Sequence, residues 1–162
     1  MRTEKQLAVY GTLKFANQIL FTVLILVGLG FGITYVLRSN EDVADYQSLT
    51  LQQTRVQAGG QVGYKFVWTK HVTASGNLYR SWLRMKNVDG KWVRDNRYVP
   101  VLVSGSFRVG RERGQHTNEP MVEAPKVPGF YVLQVRGEYE RVFGAEPSVD
   151  VKESDNVLEV ER

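Results

Sequence analysis

Cysteine is absent from this sequence of 162 residues, and histidine is scarce. Without cysteine the chain has no disulfide bonds and no thiolate metal sites. This absence does not identify the compartment, because many periplasmic domains lack disulfides. The two histidines, His71 and His116, stand far apart in the sequence. A zinc site needs three or four ligands at a recognisable spacing, so the sequence predicts no metal site and no cofactor.

Catalytic motifs are missing as well. The chain contains no G-x-S-x-G nucleophile elbow, and residues 110–114 are not followed by the Lys-Ser/Thr pair of a phosphate-binding loop. Glu138 and Glu140 lie at strand spacing on an outward phase, which favours a solvated face over an acid–base pair. We therefore expect a protein that is not an enzyme. A hydrolase with widely scattered catalytic residues is the enzymatic alternative.

Charge of one sign is only slightly in excess. Lys and Arg number 21 and Asp and Glu number 17, which gives a formal net charge of +4. The excess is shared about equally between residues 1–37 and the rest of the chain. Because the larger part is nearly balanced, its net charge provides no argument for nucleic-acid binding.

A long apolar run lies near the N-terminus and carries no charge from Ile19 to Leu37. A helix of about twenty residues crosses the hydrocarbon core of a bilayer and satisfies its own backbone groups there. We predict a transmembrane helix over residues 16–37, after a short tail at 1–15. A buried helix would need a larger protein around it. A cleaved signal peptide is disfavoured because the run exceeds the usual apolar core of such peptides.

The flanks of the apolar run predict its orientation. Before it stand three basic residues against one acidic residue, and after it Arg38 is followed by an acidic segment. Lys and Arg concentrate on the cytoplasmic side of a membrane helix. We therefore expect a cytoplasmic N-terminus, an acidic tether over residues 38–47, and an extracytoplasmic domain over 48–162. That domain would be periplasmic in a Gram-negative host. The basic residues before the run are Arg2, Lys5 and Lys14.

Gly28 and Gly32 form a G-x-x-x-G pair within the predicted helix. Such a pair lets two helix backbones approach closely in a membrane. We expect the lipid bilayer as one partner, and a second copy of the chain as a candidate partner through this face. Glycine is also common in membrane helices that do not pair, so that alternative stays open.

From residue 48 onward the apolar period changes to two, which is typical of half-buried strands. The clearest example places Val62, Tyr64, Phe66 and Trp68 on one face. Other strands are predicted near residues 49–56, 98–109, 121–123, 130–139, 149–151 and 157–160, with interruptions at Pro100 and Gly105 and a long loop over 110–128. These short strands without helices predict an all-β, antiparallel β-sandwich.

A hairpin is predicted at Asp89-Gly90, a pair that suits a two-residue type I′ turn. The turn sets the register, in which Val88 faces Lys91, Asn87 faces Trp92 and Met85 faces Arg94. Opposed residues share a face of the sheet. We therefore expect Leu83, Met85 and Trp92 in the core. The opposite, partly exposed face then carries Arg80, Trp82, Arg84 and Lys86.

The run Pro128-Gly129-Phe130-Tyr131-Val132-Leu133-Gln134-Val135 resembles the turn and strand late in immunoglobulin-like domains, where an aromatic residue begins the strand. The whole layout also resembles small single-pass membrane proteins of phages and their bacterial hosts. The chain lacks the cysteine pair of antibody domains. The resemblance implies an Ig-like architecture outside the cytoplasm and does not imply an activity.

The basic and aromatic residues Arg80, Trp82, Arg84 and Lys86 form the candidate interaction surface. Arginine stacks on tryptophan, and both residue types are enriched in binding hot spots. Packing of arginine stems over an exposed tryptophan, without any partner, explains the pattern equally well.

Two functions follow as hypotheses. The first is a non-enzymatic, membrane-anchored interaction protein that contacts an unknown protein partner, in a bacterial envelope or in the membrane of a virion. The second is a periplasmic binding module for a small ligand or a cell-wall glycan. A ligand module needs an apolar cavity of roughly 300 Å³ or more with converging polar groups, whereas a contact protein needs a flat patch or a free edge strand.

Overall fold

The computed structural model of the protein describes residues 4–39, 43–140 and 147–162. The chain divides into two compact units, Met1–Glu41 and Asp42–Arg162. Within the described ranges the first unit is one helix and the second consists of strands and their connections.

Helix α1 spans Glu4–Ser39 and includes the predicted helical range 16–37. Its described large apolar side chains, from Phe15 to Ile33, are exposed, with Phe21 at 67% and Phe31 at 71% of their accessible surface. Among the described residues, no helix combines the length and the mean hydropathy required of a membrane span.

The strands of the second unit are β1 (Ala44–Leu51), β2 (Arg55–Gln57), β3 (Gln61–Lys70), β4 (Gly76–Val88), β5 (Lys91–Arg94), β6 (Val101–Leu102), β7 (Phe107–Val109), β8 (Gly114–Asn118), β9 (Met121–Glu123), β10 (Gly129–Tyr139), β11 (Ser148–Glu153) and β12 (Leu158–Glu161). They form two sheets, which confirms the all-β prediction. One sheet has the order β1-β3-β8, with β9 also paired to β3. The other has the order β2-β12-β10-β4-β5, with β11 on β10 and with β6 and β7 on β4. The described pairs are antiparallel except β2 with β12, which is parallel, so the predicted purely antiparallel arrangement is corrected there.

Both sheets contribute side chains to one hydrophobic core. Strand β3 confirms the predicted alternation, because Val62, Tyr64, Phe66 and Trp68 are all buried. Strand β10 provides Tyr131, Leu133 and Val135 in the same way, as their alternation predicts. Alternation of this kind places one face of each strand against the facing sheet.

The hairpin between β4 and β5 confirms its predicted turn and register. Asp89 has φ of 52° and Gly90 has φ of 80°, the left-handed conformation that a type I′ turn requires at both positions. The amide of Gly90 donates to the side-chain oxygen of Asn87 at 2.9 Å. Asn87 faces Trp92 in the resulting ladder.

The sheet begins before the predicted boundary at residue 48. Strand β1 starts at Ala44, and Val43 and Ala44 are buried, so the predicted tether over residues 38–47 is too long at its C-terminal end. The apolar alternation of β1 is not visible in the sequence before residue 48 because the strand contains a bulge. The register with β3 shifts between Tyr46 and Ser48, and such a bulge reverses the phase of the residues beyond it.

The predicted long strand over residues 98–109 is instead two short strands, β6 and β7. Val99 is 85% exposed and Phe107 is 52% exposed, so these two residues do not face the core as the alternation predicted, whereas Val109 does and is 5% exposed. Gly105, with φ of 86°, interrupts the pairing between them at the predicted position. The interruption leaves part of the segment free to line a cleft.

Candidate functional site: an arginine-lined cleft

The position of Trp82 corrects the predicted exposed surface. Its side chain is only 1% exposed, and its indole Nε1 donates to the carbonyl oxygen of Glu123 at 2.9 Å. The prediction that Trp82 and Trp92 lie on opposite faces is confirmed, but the assignment of those faces was wrong. Trp92, expected in the core, is 39% exposed and packs against Phe130 at a ring-centroid distance of 4.7 Å.

The reason lies in the sheet order. Strand β4 lies between β10 on one side and β5, β6 and β7 on the other, so it is an interior strand of the larger sheet. The face of β4 that carries Trp82 is turned toward the other sheet, and the Trp82 ring fills space in the core between the two sheets. Leu83, on the opposite phase, is also buried, with 1% exposure, and pairs with Val132, which is buried too.

A cleft opens beside Trp82, between the inner face of β4 and a neighbouring part of the other sheet. Its volume is about 670 Å³. Strand β4 provides Arg80, Trp82 and Arg84 as one wall, the segment 98–104 provides a second, and the segment 121–127 provides a third. The cleft therefore collects three of the four residues of the candidate interaction surface.

Arg80 lies in the cleft and has polar contacts with Gly105 and Tyr64. Its Nη2 donates to the carbonyl oxygen of Gly105 at 3.0 Å, while its Nε is buried and has no hydrogen-bond acceptor. Burial raises the pKa of Tyr64, although the charge of Arg80 and a side-chain hydrogen bond with Arg80 oppose the rise. Among the described residues, no carboxylate forms an ion pair with Arg80.

Arg84 is held by aromatic rings. Its guanidinium carbon lies 4.2 Å from the ring centroid of Tyr98 and 5.9 Å from that of Tyr131, and its Nη2 donates to the carbonyl oxygen of Pro128 at 3.2 Å. Burial raises the pKa of Tyr131, and the Arg84 charge lowers it in part. A cation over a ring face is attracted by the ring quadrupole. Arg84 therefore fixes the aromatic end of the cleft.

A buried carboxylate anchors the segment that leads into this aromatic end. The Asp95 amide donates to the carbonyl oxygen of Arg84 at 2.8 Å, and the Asp95 carboxylate lies 2.7 Å from Arg97 Nη2. The hydrogen bond from the Arg97 side chain is the main reason that the pKa of Asp95 falls to about 2. The ion pair thereby fixes the chain just before Tyr98, the ring on which Arg84 rests.

The rest of the lining is mostly apolar. Val99, Val101, Met121 and Val127 are each about half exposed or more, which is unusual for so many apolar side chains in one place. Glu123 and Lys126 also line the cleft, and their charged groups lie 3.8 Å apart. The arrangement can hold an apolar group among these side chains and an anion near the arginines.

The other sequence-predicted site residues lie elsewhere. Lys86 is exposed on β4 opposite Val93 and does not line the cleft. Gly28 and Gly32 belong to α1, where a Cβ added at either would meet nothing within 4 Å. In the described residues no group of three metal-ligating side chains comes together.

The predicted loop over residues 110–128 contains a strand instead at His116. His116 lies in β8 opposite Trp68, and its ring stacks on the Trp68 indole at a centroid distance of 4.5 Å. The Trp68 Nε1 donates to the side-chain oxygen of Asn118 at 3.0 Å. His71, in contrast, is exposed just after β3.

Sequence reasoning missed the residues of the cleft that come from distant segments. Met121 and Glu123, from β9, meet the β4 arginines because the two sheets pack together. Tyr131, in β10, is paired with Arg84 within the larger sheet, and Tyr98 follows β5 of the same sheet. A weak signal existed in the cluster of apolar residues interrupted by Pro100 and Gly105, which could not form a regular strand.

No protein-family model and no curated protein matches the sequence. Among solved structures, the sporulation control protein Spo0M from Bacillus subtilis is 16% identical, with a TM-score of 0.40, over 75% of this chain and 51% of that one. The DNA glycosylase AlkC from Pseudomonas fluorescens is 11% identical, with a TM-score of 0.39, over 79% and 33%. A PapD-like domain of human CEP192 is 12% identical, with a TM-score of 0.33, over 72% and 89%. This chain thus spans about half the length of Spo0M and a third of AlkC, and these likenesses assign neither a family nor a function.

Proposed function

We propose that this chain is a non-enzymatic, membrane-anchored binding protein that holds a small ligand in the cleft beside Trp82. The cleft carries the proposal, because its volume of about 670 Å³ lies within the range of small-molecule sites. Its apolar walls and its two arginines match the usual composition of such sites, an apolar lining with a few polar groups.

The proposed anchor is the apolar part of α1, over residues 16–37. Support comes from its uncharged sequence between Ile19 and Leu37 and from the exposure of its large apolar side chains, which a bilayer would cover. The flanking charges favour a cytoplasmic N-terminus and an Ig-like domain on the other side, in a bacterial envelope or a virion membrane. Pairing of two copies through Gly28 and Gly32 belongs to the same proposal.

A second candidate function is protein–protein contact through the outer face of the larger sheet. The observation in its favour is the pair Trp92 and Phe130, whose side chains are 39% and 37% exposed. Exposed aromatic residues that pack on each other are typical of contact hot spots. This candidate uses a face of the sheet that does not line the cleft.

One pair of variants separates the two candidates in the purified full-length chain. Val101→Trp narrows the cleft from a position that is 47% exposed, so it should affect the fold little. Trp92→Ala removes the outer aromatic contact and leaves the cleft unchanged. Binding is measured by ligand-detected NMR against a library of neutral, anionic and cationic fragments, and partner capture is measured by crosslinking in intact cells.

We expect Val101→Trp to abolish fragment binding while Trp92→Ala preserves it. The ligand function would be contradicted if fragments still bind to the Val101→Trp variant. It would also be contradicted if no fragment binds to the unmodified chain. Loss of a specific crosslink in Trp92→Ala alone would favour the contact function instead.

A further inference from the structure

We infer that the ligand of the cleft is an amphipathic organic anion, with an apolar body and one carboxylate or phosphate group. The inference rests on the proposed ligand-binding function and gives it a chemical class. Arg80 would bind the anionic group, and the walls formed by residues 98–104 and 121–127 would enclose the apolar body.

The charge of the cleft is the first argument. Three cationic side chains and one carboxylate line it, and the carboxylate, Glu123, lies near Lys126. Arg80 and Arg84 therefore face the cleft without a carboxylate partner among the described residues. A guanidinium in an apolar setting loses hydration, and an anion offsets that loss. The lining thus favours an anion over a neutral or cationic ligand.

The two arginines differ in how free they are to bind. Arg84 rests on the Tyr98 ring at 4.2 Å and donates to the Pro128 carbonyl oxygen, so its position is already set. Arg80 donates to the carbonyl oxygen of Gly105 and is hydrogen-bonded to the Tyr64 side chain, and a guanidinium, with five N–H donors, keeps further donors for an anion. Charge-assisted hydrogen bonds between a guanidinium and a carboxylate or phosphate are among the strongest in proteins. Arg80 is therefore the anion-binding residue, and Arg84 supports the aromatic wall.

The apolar walls argue for an apolar body and against a sugar. Val99, Val101 and Met121 provide aliphatic contact surface, whereas a glycan needs many hydrogen-bonding groups. The Trp82 ring is buried, and its indole N–H is already used on the Glu123 carbonyl oxygen, so Trp82 offers no open face for a sugar ring. The lining therefore fits a ring or chain of carbon atoms that ends in an anion.

A matched set of probes tests whether the ligand is an amphipathic organic anion. The full-length chain in lipid nanodiscs is titrated with 2-naphthylacetate, 2-naphthylethanol and 2-naphthylethylamine, with 2-naphthyl phosphate as a second anion and empty nanodiscs as the blank. The probes share the naphthyl ring system and differ in the charge of their head group. We expect one or both anions to bind about tenfold or more tightly than the alcohol, because a hydrogen bond to a charged group contributes that much. The amine should bind most weakly. The tighter anion identifies the preferred head group.

Arg80→Gln should lower the anion affinity by about tenfold and leave the alcohol affinity unchanged. Lys86→Gln is the matched control, because it removes an exposed cation outside the cleft and should change neither. Anion binding should also weaken as salt is raised, while alcohol binding should not. The salt series tests the unmodified chain, so it stands even if Arg80→Gln fails to fold.

Equal affinity for both anions and the alcohol, insensitive to salt, would overturn the anion assignment and leave the ligand function intact. A loss of anion binding in Lys86→Gln as large as that in Arg80→Gln would also overturn it, because the effect would then come from general surface charge. If no probe binds and the fragment library also finds nothing, the proposed function itself fails.

Discussion

The indole nitrogen of Trp82 donates a hydrogen bond of 2.9 Å to the backbone carbonyl oxygen of Glu123. Trp82 belongs to β4 in one sheet and Glu123 to β9 in the other, so this bond joins the two sheets at the side of the cleft. A buried polar group that lacks a partner is costly, and this bond satisfies both groups at once. It also fixes the separation of the two walls that carry the arginines and the apolar residues.

Trp82→Ala is therefore expected to destabilise the fold by about 3–5 kcal/mol, as loss of a buried tryptophan does. The matched control is Trp92→Ala, which removes a partly exposed ring and should cost about 1 kcal/mol or less. Urea unfolding of the full-length chain, followed by circular dichroism, measures both. Similar small losses in the two variants would show that Trp82 is not part of the core.

Lys70 is a buried charged residue whose side chain makes hydrogen bonds inside the fold. Its side chain is 1% exposed, its Nζ donates to the carbonyl oxygens of Ala74 and Gly110, and burial lowers its pKa. Lys70→Met would leave those carbonyl oxygens without this donor, and we expect a loss of about 1–3 kcal/mol in unfolding free energy. Lys65→Met, at an exposed position in the same strand, should cost far less. Equal effects of the two changes would argue against a buried role for Lys70.

Tyr46 and Tyr139 share a hydrogen bond of 2.8 Å between their hydroxyl oxygens. Burial is the main reason that the pKa of Tyr139 rises from 10.0 to about 12. The raised pKa means that the unfolded chain loses its proton first, so stability falls as pH rises from 10 to about 12. Tyr139→Phe should make this fall shallower and should cost about 1 kcal/mol at neutral pH, where the hydrogen bond is lost. Unfolding free energies measured from pH 7 to pH 12 decide this, and an unchanged alkaline slope would contradict it.

The pair of Asp95 and Arg97 predicts the opposite dependence at low pH. The hydrogen bond from Arg97 is the main reason that the pKa of Asp95 falls from 3.8 to about 2. Its contribution to stability is therefore complete above pH 3.8 and is lost as pH falls toward 2. Asp95→Asn should flatten the acid part of the stability curve in that window. A curve as steep as that of the unmodified chain would assign the acid sensitivity to other carboxylates.

Membrane orientation is tested in living cells. A reporter that is active only in the cytoplasm, fused after Arg162, should stay silent, because the basic residues Arg2, Lys5 and Lys14 favour a cytoplasmic N-terminus. The same reporter fused before Met1 is the control and should be active. A strong signal from an intact fusion after Arg162 would reverse the proposed orientation.

Short-range features of this protein were determined by the sequence. The Asp89-Gly90 turn formed as predicted because only a few residue types tolerate positive φ at both central positions. The alternating face of β3 and the apolar face of β10 were also predicted correctly, since the period of two is a local property of a strand. The register of the hairpin followed from its turn alone.

Tertiary structure decided which faces are buried. Alternation separates Trp82 from Trp92 but does not say which of them meets the other sheet, and that depends on the order of strands from distant parts of the chain. The cleft has the same origin, because Arg80 and Met121 come together only when β4 and β9 pack across the sandwich. The strand pattern is thus local, whereas the burial of Trp82 and the placement of the arginines arise from contacts that no short stretch of sequence contains.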